Sequence, residues 1–189
     1  MGSYNQAFID HEVTTPEQAE EMASAMVAWL VDAGIIEDRP YETELDDGPH
    51  YPPGPRFTDA CVAGESACVE QERQSFLAAS MNGMRLLKKR GFVLNWQGRY
   101  DPIACPHCSK TSPIEQFWEA GGAWFEGKAD AMLCEHCGQS TELPRWEHPE
   151  AGFVMLAFEF WDWCNFTEEF KNEFRRRLGH RMTFLYGKF

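Results

Sequence analysis

The sequence predicts an α+β fold, a small mixed body that carries an insert built around four cysteines. Apolar residues recur with helical period near both ends of the chain, and a long apolar run close to the C-terminus is typical of a strand covered on both faces. Two Cys-x-x-C pairs lie between these regions, with 25 residues separating them. We therefore expect one compact unit with three parts: an acidic helical or α+β part (1–102), the insert (103–147), and a strand–helix–strand segment (148–189) that packs on the first part.

The first helix is predicted to begin after Thr15, which can accept a hydrogen bond as the N-terminal cap. Pro16 suits the first helical position, and Gln18 can complete a capping box. Gly34 follows at the place of a left-handed C-terminal cap. The buried stripe of this helix is formed by Ala19, Met22, Ala23, Met26, Val27 and Leu30. Its outer face carries Glu17, Glu20 and Glu21.

The middle of the first part predicts a loop and then a helix. Residues 37–59 are rich in Pro, Gly, Asp and Glu, and three prolines within four residues exclude a helix or a central strand, so we expect an ordered surface loop or linker. A second helix is predicted from about Glu70 to Arg90, because its apolar residues share one side and Gly91 can end it. A short buried strand is expected from Phe92 to Trp96.

The C-terminal part predicts a central strand, a helix and a last strand. Phe153 through Trp163 is apolar on both faces of an extended chain, which favours a strand covered on both sides. Asn165 and Glu168 can form a capping box at the start of the last helix, and Gly179 can cap its end. Arg181–Tyr186 is expected to form the final strand.

The two Cys-x-x-C pairs predict one metal site. Cys105 with Cys108, and Cys134 with Cys137, can each aim two sulfurs at one point through a tight turn, and zinc prefers four such ligands in a tetrahedron. Gly138 follows the second pair, where the turn commonly needs a positive φ. Between the pairs, the run Ser112–Glu115 predicts a capping box for a short helix that Gly121 and Gly122 break. The predicted ligands are Cys105, Cys108, Cys134 and Cys137.

This motif resembles the zinc ribbons, over roughly residues 103–147. The resemblance implies a structural Zn²⁺, because four thiolates leave no open coordination position for catalysis. An iron site of rubredoxin type and a redox dithiol are the rival interpretations. More of the chain resembles a group of small uncharacterised bacterial proteins that pair a central zinc ribbon with an aromatic strand, a helix and a short last strand. The segments that carry this second resemblance are 124–128, 158–163, 178–180 and 186–188.

Charge is unevenly distributed along the chain and favours a basic protein as partner. Residues 1–70 carry 15 acidic and 2 basic side chains, whereas residues 71–189 carry 15 of each. An acidic surface repels nucleic acid and attracts basic proteins, although solubility alone could explain it. The candidate partner-binding residues are Glu17, Glu20, Glu21, Asp46, Asp47, Trp118 and Trp124. For the two tryptophans, packing of the insert onto the body is the alternative interpretation.

These features favour a non-enzymatic protein-binding function, of which an immunity protein against a bacterial toxin is one concrete form. A nucleic-acid accessory factor is the first alternative, since Arg175–Arg177 and Lys88–Arg90 could make a basic patch. The second is an enzyme with a site near the 37–59 loop that uses Glu159, Asp162 or His50 as acid–base groups. We expect Glu159 and Asp162 either to pair with an arginine such as Arg175 or Arg181 or to be exposed at a strand end. The lone histidines His50 and His148 are expected to lie at the surface.

The composition and the N-terminal sequence predict a cytoplasmic protein. No apolar run approaches the roughly 20 residues that a membrane span needs. Residues 1–6 lack the basic start and apolar stretch of a signal peptide. The seven cysteines are an odd number, which favours thiols or metal ligation over a disulfide framework.

Overall fold

A computed structural model describes residues 4–43, 46–64, 74, 76–78, 82–94 and 102–188, and the predicted α+β class is confirmed. The helices are α1 (Pro16–Asp32), α2 (Ile114–Phe125) and α3 (Glu168–Leu178). The strands are β1 (Tyr4–Asp10), β2 (Tyr41–Thr43), β3 (Asp46–Tyr51), β4 (Gly83–Leu87), β5 (Gly91–Leu94), β6 (Ile103–Ala104), β7 (Thr111–Ser112), β8 (Ala131–Leu133), β9 (Ser140–Glu142), β10 (Ala151–Val154), β11 (Ala157–Trp161) and β12 (Met182–Lys188). Short 3-10 helices cover Phe57–Ala60 and Leu143–Arg145.

Six strands form the main sheet, in the order β12-β1-β11-β4-β3-β2, and every neighbouring pair is antiparallel. We call the side of this sheet on which α1 and α3 pack its helix face. Phe8 lies there opposite Phe158 and Phe184, and its ring stacks on Phe174 of α3 at a centroid distance of 3.9 Å. Trp29 of α1 stacks on α3 in turn, so the two helices and the strands β12, β1 and β11 share one aromatic core.

The opposite side, the far face, carries a smaller apolar cluster. Its members are Ala7, Ile9, Leu87, Val93, Val154, Ala157 and Leu185. Two of them, Val93 and Val154, belong to a second ribbon in which β5 pairs with β10. Since β4 leads into β5 and β10 leads into β11, this ribbon extends the β4–β11 pair beyond the main sheet. The cysteine insert lies along the chain between β5 and β10, and therefore at the end of that extension.

The predicted ends of α1 are confirmed. The Thr15 side chain accepts a hydrogen bond from the Gln18 amide, and the Gln18 side chain accepts one from the Thr15 amide. Gly34 follows α1 with a φ of 71°. In α3, Gly179 caps the C-terminus as predicted, also at 71°, but the N-terminal cap is Thr167 and not Asn165.

The predicted helix from Glu70 to Arg90 is correct at the described residues Gln74, Phe76 and Leu77, which are helical, but wrong over Gly83–Leu87, which is β4. Met84 and Leu86 lie opposite Phe160 and Phe158 on the helix face, so the apolar spacing that resembled a helix is the alternation of a strand. Residues 70–73, 75 and 79–81 lie outside the described part of the chain. The expected strand after Gly91 is present as β5.

The predicted loop over 37–59 is also wrong in part, because it contains β2 and β3. The clustered prolines come just after β3, which ends at Tyr51, and therefore do not interrupt its pairing. Pro49 does lie within β3, near the place where the register between β2 and β3 shifts. Such an irregularity tolerates a residue that has no amide proton to donate.

Two further predictions about element boundaries are corrected. The run from Phe153 to Trp163 forms two strands, β10 and β11, which pair with different neighbours. Helix α2 continues through Gly121 and Gly122 to Phe125, and Pro113 stands at its cap without a side-chain hydrogen bond. The expected capping box is therefore absent from this helix.

Candidate metal centre

Two short hairpins carry the four cysteines. The first is made by β6 and β7, and the amide of Cys105 donates to Lys110 O at 2.9 Å to close it. The second is made by β8 and β9, and the amide of Cys134 donates to Gln139 O at 2.9 Å in the same way. The two turns therefore have one architecture, as the repeated Cys-x-x-C spacing predicts.

Each turn is completed by a residue in the left-handed region. Gly138 has a φ of 71°, as predicted, and its amide donates to Cys134 O at 2.8 Å. Ser109 occupies the equivalent place with a φ of 59°, and its amide donates to Cys105 O at 2.9 Å. A side chain is tolerated in this conformation at a modest cost, so the first turn keeps the geometry without glycine.

The four sulfurs converge on one point. The Sγ atoms of Cys105 and Cys137 are 3.8 Å apart, and those of Cys108 and Cys134 are also 3.8 Å apart. All four lie within 4.8 Å of one another. A tetrahedral ion with metal–sulfur bonds of about 2.3 Å requires sulfur–sulfur distances of about 3.8 Å. The cluster thus fits a single tetrahedrally coordinated metal ion.

Neighbouring histidines do not compete with the cysteines for this place. Nε2 of His107 lies 2.7 Å from Thr141 Oγ1, and Nε2 of His136 lies 3.1 Å from Thr111 O. Throughout the described ranges, the cysteine cluster is the only group of three or more Cys, His, Asp or Glu side chains close enough to share an ion.

The pKa values of two thiols diverge because the sulfurs are crowded. Burial raises the pKa of Cys134, but the amides of Cys137 and His136 donate to its sulfur and the net effect lowers it to about 6. The amide of Gln139 lowers the pKa of Cys137, whereas burial and the neighbouring thiols raise it to about 11. One thiolate therefore opposes the formation of another, and a bound cation would remove that opposition.

Aromatic packing holds the insert against the body. Phe153 of β10 receives the rings of Phe117 and Trp124 from α2 at centroid distances of 4.8 and 6.0 Å. Trp118 is half-buried and packs edge-on against Phe92 of β5 at 5.2 Å. Trp124 is only 2% exposed, so the packing interpretation holds for it and its assignment to a partner-binding surface is corrected.

A buried histidine, His11, joins the insert to the body. Nδ1 of His11 lies 2.9 Å from Pro144 O, in the segment after β9, and Nε2 lies 2.8 Å from Thr183 Oγ1 in β12. Because a carbonyl only accepts, Nδ1 carries the proton of a neutral ring. Burial is the largest influence on His11 and lowers its pKa.

The predicted acidic residues divide into two groups. Glu17, Glu20 and Glu21 are exposed on α1, and Glu20 forms an ion pair with Lys88 at 2.6 Å. The backbones of Asp46 and Asp47 lie in β3, but their side chains fall outside what the structure describes.

The candidate acid–base residues Glu159, Asp162 and His50 lie on or beside the main sheet. Glu159 is buried on the far face, where it forms an ion pair with Arg85 and accepts a hydrogen bond from Asn5 Nδ2 at 2.9 Å. The expectation that it pairs with an arginine is correct, but neither Arg175 nor Arg181 is the partner. His50 lies opposite Arg85 in the register and is fully buried, so its predicted surface position is wrong.

Asp162 and His148 make contacts that stabilise the local backbone. Asp162 adopts a φ of 58° and its Oδ1 accepts from the Tyr4 amide at 2.9 Å, at the end of β11. His148 is buried, contrary to prediction, and its Nδ1 accepts from the Glu150 amide at 3.1 Å. The structure thus brings His50 and Glu159 onto one face beside Arg85, and it places Asp162 at the strand end.

The fold and the site together define an α+β protein with a candidate tetrathiol metal centre. Comparisons with models of protein families, with curated proteins and with solved structures give no match. The resemblance to zinc ribbons therefore depends on the cysteine motif and its geometry. None of the helices in the described ranges is long and apolar enough to cross a membrane.

Proposed function

We propose that this protein is a non-enzymatic binding protein, stabilised by a structural Zn²⁺, that recognises a basic protein through its acidic N-terminal part. The observation that carries the metal half of the proposal is the convergence of the four sulfurs, which are 3.8 Å apart in two pairs and all within 4.8 Å of one another. The charge segregation along the chain, 15 acidic against 2 basic side chains in residues 1–70, supports the second half.

We assign zinc, in preference to iron, to this centre. Four thiolates in a tetrahedron are the ligand set of structural zinc sites, and they leave no coordination position for water or substrate. Ferrous or ferric iron accepts the same ligands, so the metal must be measured. A redox dithiol would need two sulfurs that pair, whereas here four share one centre.

The first experiment measures the metal in freshly purified protein by mass spectrometry. We expect one zinc per chain, with iron below a few per cent of that amount. Cys108→Ser should lower the zinc content, whereas Cys61→Ala, a change at a buried cysteine outside the cluster, should leave it at one. Protein that contains no transition metal would refute the zinc assignment.

The exposed carboxylates of α1 support a basic partner. Coulombic attraction between oppositely charged surfaces accelerates association and weakens as salt is added. The basic residues that could favour nucleic acid are largely engaged: Glu173 binds both Arg176 and Arg177, and Asp130 binds Arg90. An immunity protein that neutralises a basic bacterial toxin is the concrete form that we favour.

The second experiment identifies the partner by affinity capture from the source cell and then measures binding with purified partner. Neutralising the α1 surface with Glu17→Gln, Glu20→Gln and Glu21→Gln should slow association and flatten its salt dependence. A matched triple variant in the insert, Glu115→Gln, Glu119→Gln and Glu126→Gln, removes the same charge and should change binding little. A partner that is acidic, or binding that is insensitive to salt, would contradict this proposal.

A further inference from the structure

A groove runs along one flank of α1, over the helix face of the main sheet. Tyr51 of β3 and Leu86 of β4 line it from the sheet, and both lie on the helix face. The other helix, α3, packs over Phe8 and Phe158 of β1 and β11. The groove therefore lies between α1 and the two strands β3 and β4.

The wall of the groove is a single stripe of α1, and its floor is apolar. The groove residues of this helix recur at the spacing that puts them on one side: Glu20, Ala23, Ser24, Val27, Ala28, Val31 and Asp32. Small and β-branched side chains in the centre of the stripe leave an open volume of about 370 Å³. That volume lies within the range of about 300–1,000 Å³ that is typical of binding sites for small groups.

The rim of the groove is acidic. Its lining contains three carboxylates, on Glu20, Asp32 and Asp38, and one ammonium group, on Lys88. Lys88 is already paired with Glu20 at 2.6 Å, and the adjacent Arg39 is paired with Glu37 at 2.9 Å. Within the described ranges, Asp32 and Asp38 have no ion-pair partner, so two negative charges stand at the mouth of an apolar groove.

We propose that this groove is the place where a lysine or arginine side chain of the basic partner protein binds. The inference rests on the proposed function and locates its recognition site. A basic side chain has an aliphatic stem that can lie along Val27 and Val31, and a cationic head that can reach Asp32 and Asp38. An anionic group would meet repulsion at the rim, and an apolar side chain would leave both carboxylates without compensation.

The hydroxyl of Tyr51 adds a polar contact point inside the groove. Burial is the main cause that raises its pKa, and the charges of Lys88, Asp38 and Glu20 act on it from the rim. The phenol is therefore protonated at neutral pH and can accept a hydrogen bond from a guanidinium or ammonium group. This places donors, acceptors and stem contacts for one long basic side chain within a single groove.

The test uses a short arginine peptide, acetyl-Gly-Arg-Leu-Arg-Gly-amide, and the same peptide with citrulline in place of both arginines. Citrulline keeps the shape of arginine and removes its charge. Titration of the ¹⁵N-labelled full chain should shift the amide signals of Ala23, Val27 and Val31 with the arginine peptide and leave them unchanged with citrulline. Asp32→Asn combined with Asp38→Asn should weaken the arginine peptide by roughly tenfold or more.

Two further variants test whether the peptide binds in the groove or is attracted only by the negative charge of the protein. Ala28→Leu fills the groove with an apolar side chain, keeps the helix propensity of α1 high, and should also abolish binding. Glu115→Gln with Glu119→Gln removes two charges from the insert and should leave the peptide affinity unchanged. Shifts that fall elsewhere on the protein, or that persist in Ala28→Leu, would overturn the groove proposal.

Binding of the natural partner to the same variants distinguishes the groove proposal from the proposed function. If the partner still binds tightly to Ala28→Leu and to the double aspartate variant, while the Glu17, Glu20 and Glu21 triple variant loses binding, then the groove is not the site and the acidic-surface proposal stands. If neither set of changes affects the partner, then both proposals fail. Loss of binding with the groove variants supports the groove.

Discussion

Glu159 and Arg85 place two opposite charges in the interior of the far face. The Glu159 side chain is 3% exposed and that of Arg85 is 14% exposed. Removing one partner of a buried ion pair leaves an uncompensated charge, which typically costs about 3–5 kcal/mol. We expect Glu159→Gln to lower the free energy of unfolding in urea by about that amount.

An exposed ion pair provides the control for this prediction. Glu168 binds Lys171 at 2.7 Å, but its side chain is 77% exposed. Glu168→Gln should therefore change stability by less than about 1 kcal/mol. Equal effects of the two substitutions would show that the Glu159 charge is not buried in solution.

His11 makes the stability of the fold depend on pH. Burial lowers its pKa below the value of 6.5 that it has in an unfolded chain, so the unfolded state binds a proton first as the pH falls. Stability should therefore decrease as the pH falls below about 7.5, with a slope that approaches about 1.4 kcal/mol per unit of pH only below pH 6.5. Urea unfolding at several pH values measures this slope.

His11→Asn is the matched variant for the pH measurement. The asparagine amide can still donate to Pro144 O, but it does not titrate. The variant should lose part of the slope between pH 7.5 and 6, and the cysteine centre contributes equally to both proteins. An identical slope in both would assign the pH dependence to groups other than His11.

The sequence predicts that Glu159 pairs with an arginine, but it does not predict which arginine. The sequence requires Glu159 to be compensated, because a carboxylate inside an apolar strand is too costly alone. The partner is set by strand register, which aligns Glu159 with Arg85 across 74 positions of sequence. Register depends on the packing of whole strands, so no local pattern reveals it.

At the scale of elements, the two adjacent glycines of α2 have opposite roles. A methyl group at Gly121 would overlap the ring of Phe153, whereas one at Gly122 would meet open space. Helix propensity alone favours alanine over glycine by about 1 kcal/mol at both positions. We expect Gly122→Ala to raise the stability by about 0.5–1 kcal/mol, and Gly121→Ala to lower it by about 1–3 kcal/mol because of overpacking.

Thermal and urea unfolding of the two alanine variants checks this prediction, with each serving as the other's control. Equal stabilisation by both would mean that α2 does not pack closely on β10. The opposite signs cannot be derived from the sequence, in which Gly121 and Gly122 form one apparent helix breaker. Helix α2 continues through both glycines because Gly121 packs against Phe153 of the distant strand β10.

A helix or strand is predicted correctly when the residues that determine it are close together in the sequence. The ends of α1 are encoded locally, since Thr15 and Gln18 cap each other, and they were predicted correctly. The apolar residues of β4 fit both the helical and the strand period, and only pairing with β11 decides between them. No local pattern predicts β1, although it is an interior strand that pairs with β12 and β11.

For the molecule as a whole, the grouping of the cysteines was predictable because its spacing is a short-range signal. The Cys-x-x-C turns fix the geometry within each pair, and four sulfurs suggest a single ion. Placement of the insert at the end of the β5–β10 ribbon does not follow from the sequence, which predicts a helix in place of β4 and one continuous strand in place of β10 and β11.

Metal removal should separate the insert from the body. The hairpins that carry the cysteines have strands of only two or three residues, and such short ribbons are unstable alone in water. The main sheet, in contrast, has an aromatic core shared with α1 and α3. We expect a chelator with a reductant to increase amide exchange in residues 103–112 and 131–142, while β1 and β11 remain protected.

Hydrogen exchange followed by mass spectrometry measures both regions in one sample, and the addition of Zn²⁺ should restore protection in the insert. His11 and Phe153 connect the insert to the sheet through Pro144 and α2, so modest loosening near them is also expected. Loss of protection throughout β1 and β11 would contradict the prediction, because it would mean that the metal stabilises the sheet as well. Unchanged exchange in the insert would show instead that aromatic packing on Phe153 suffices to hold the four thiols together.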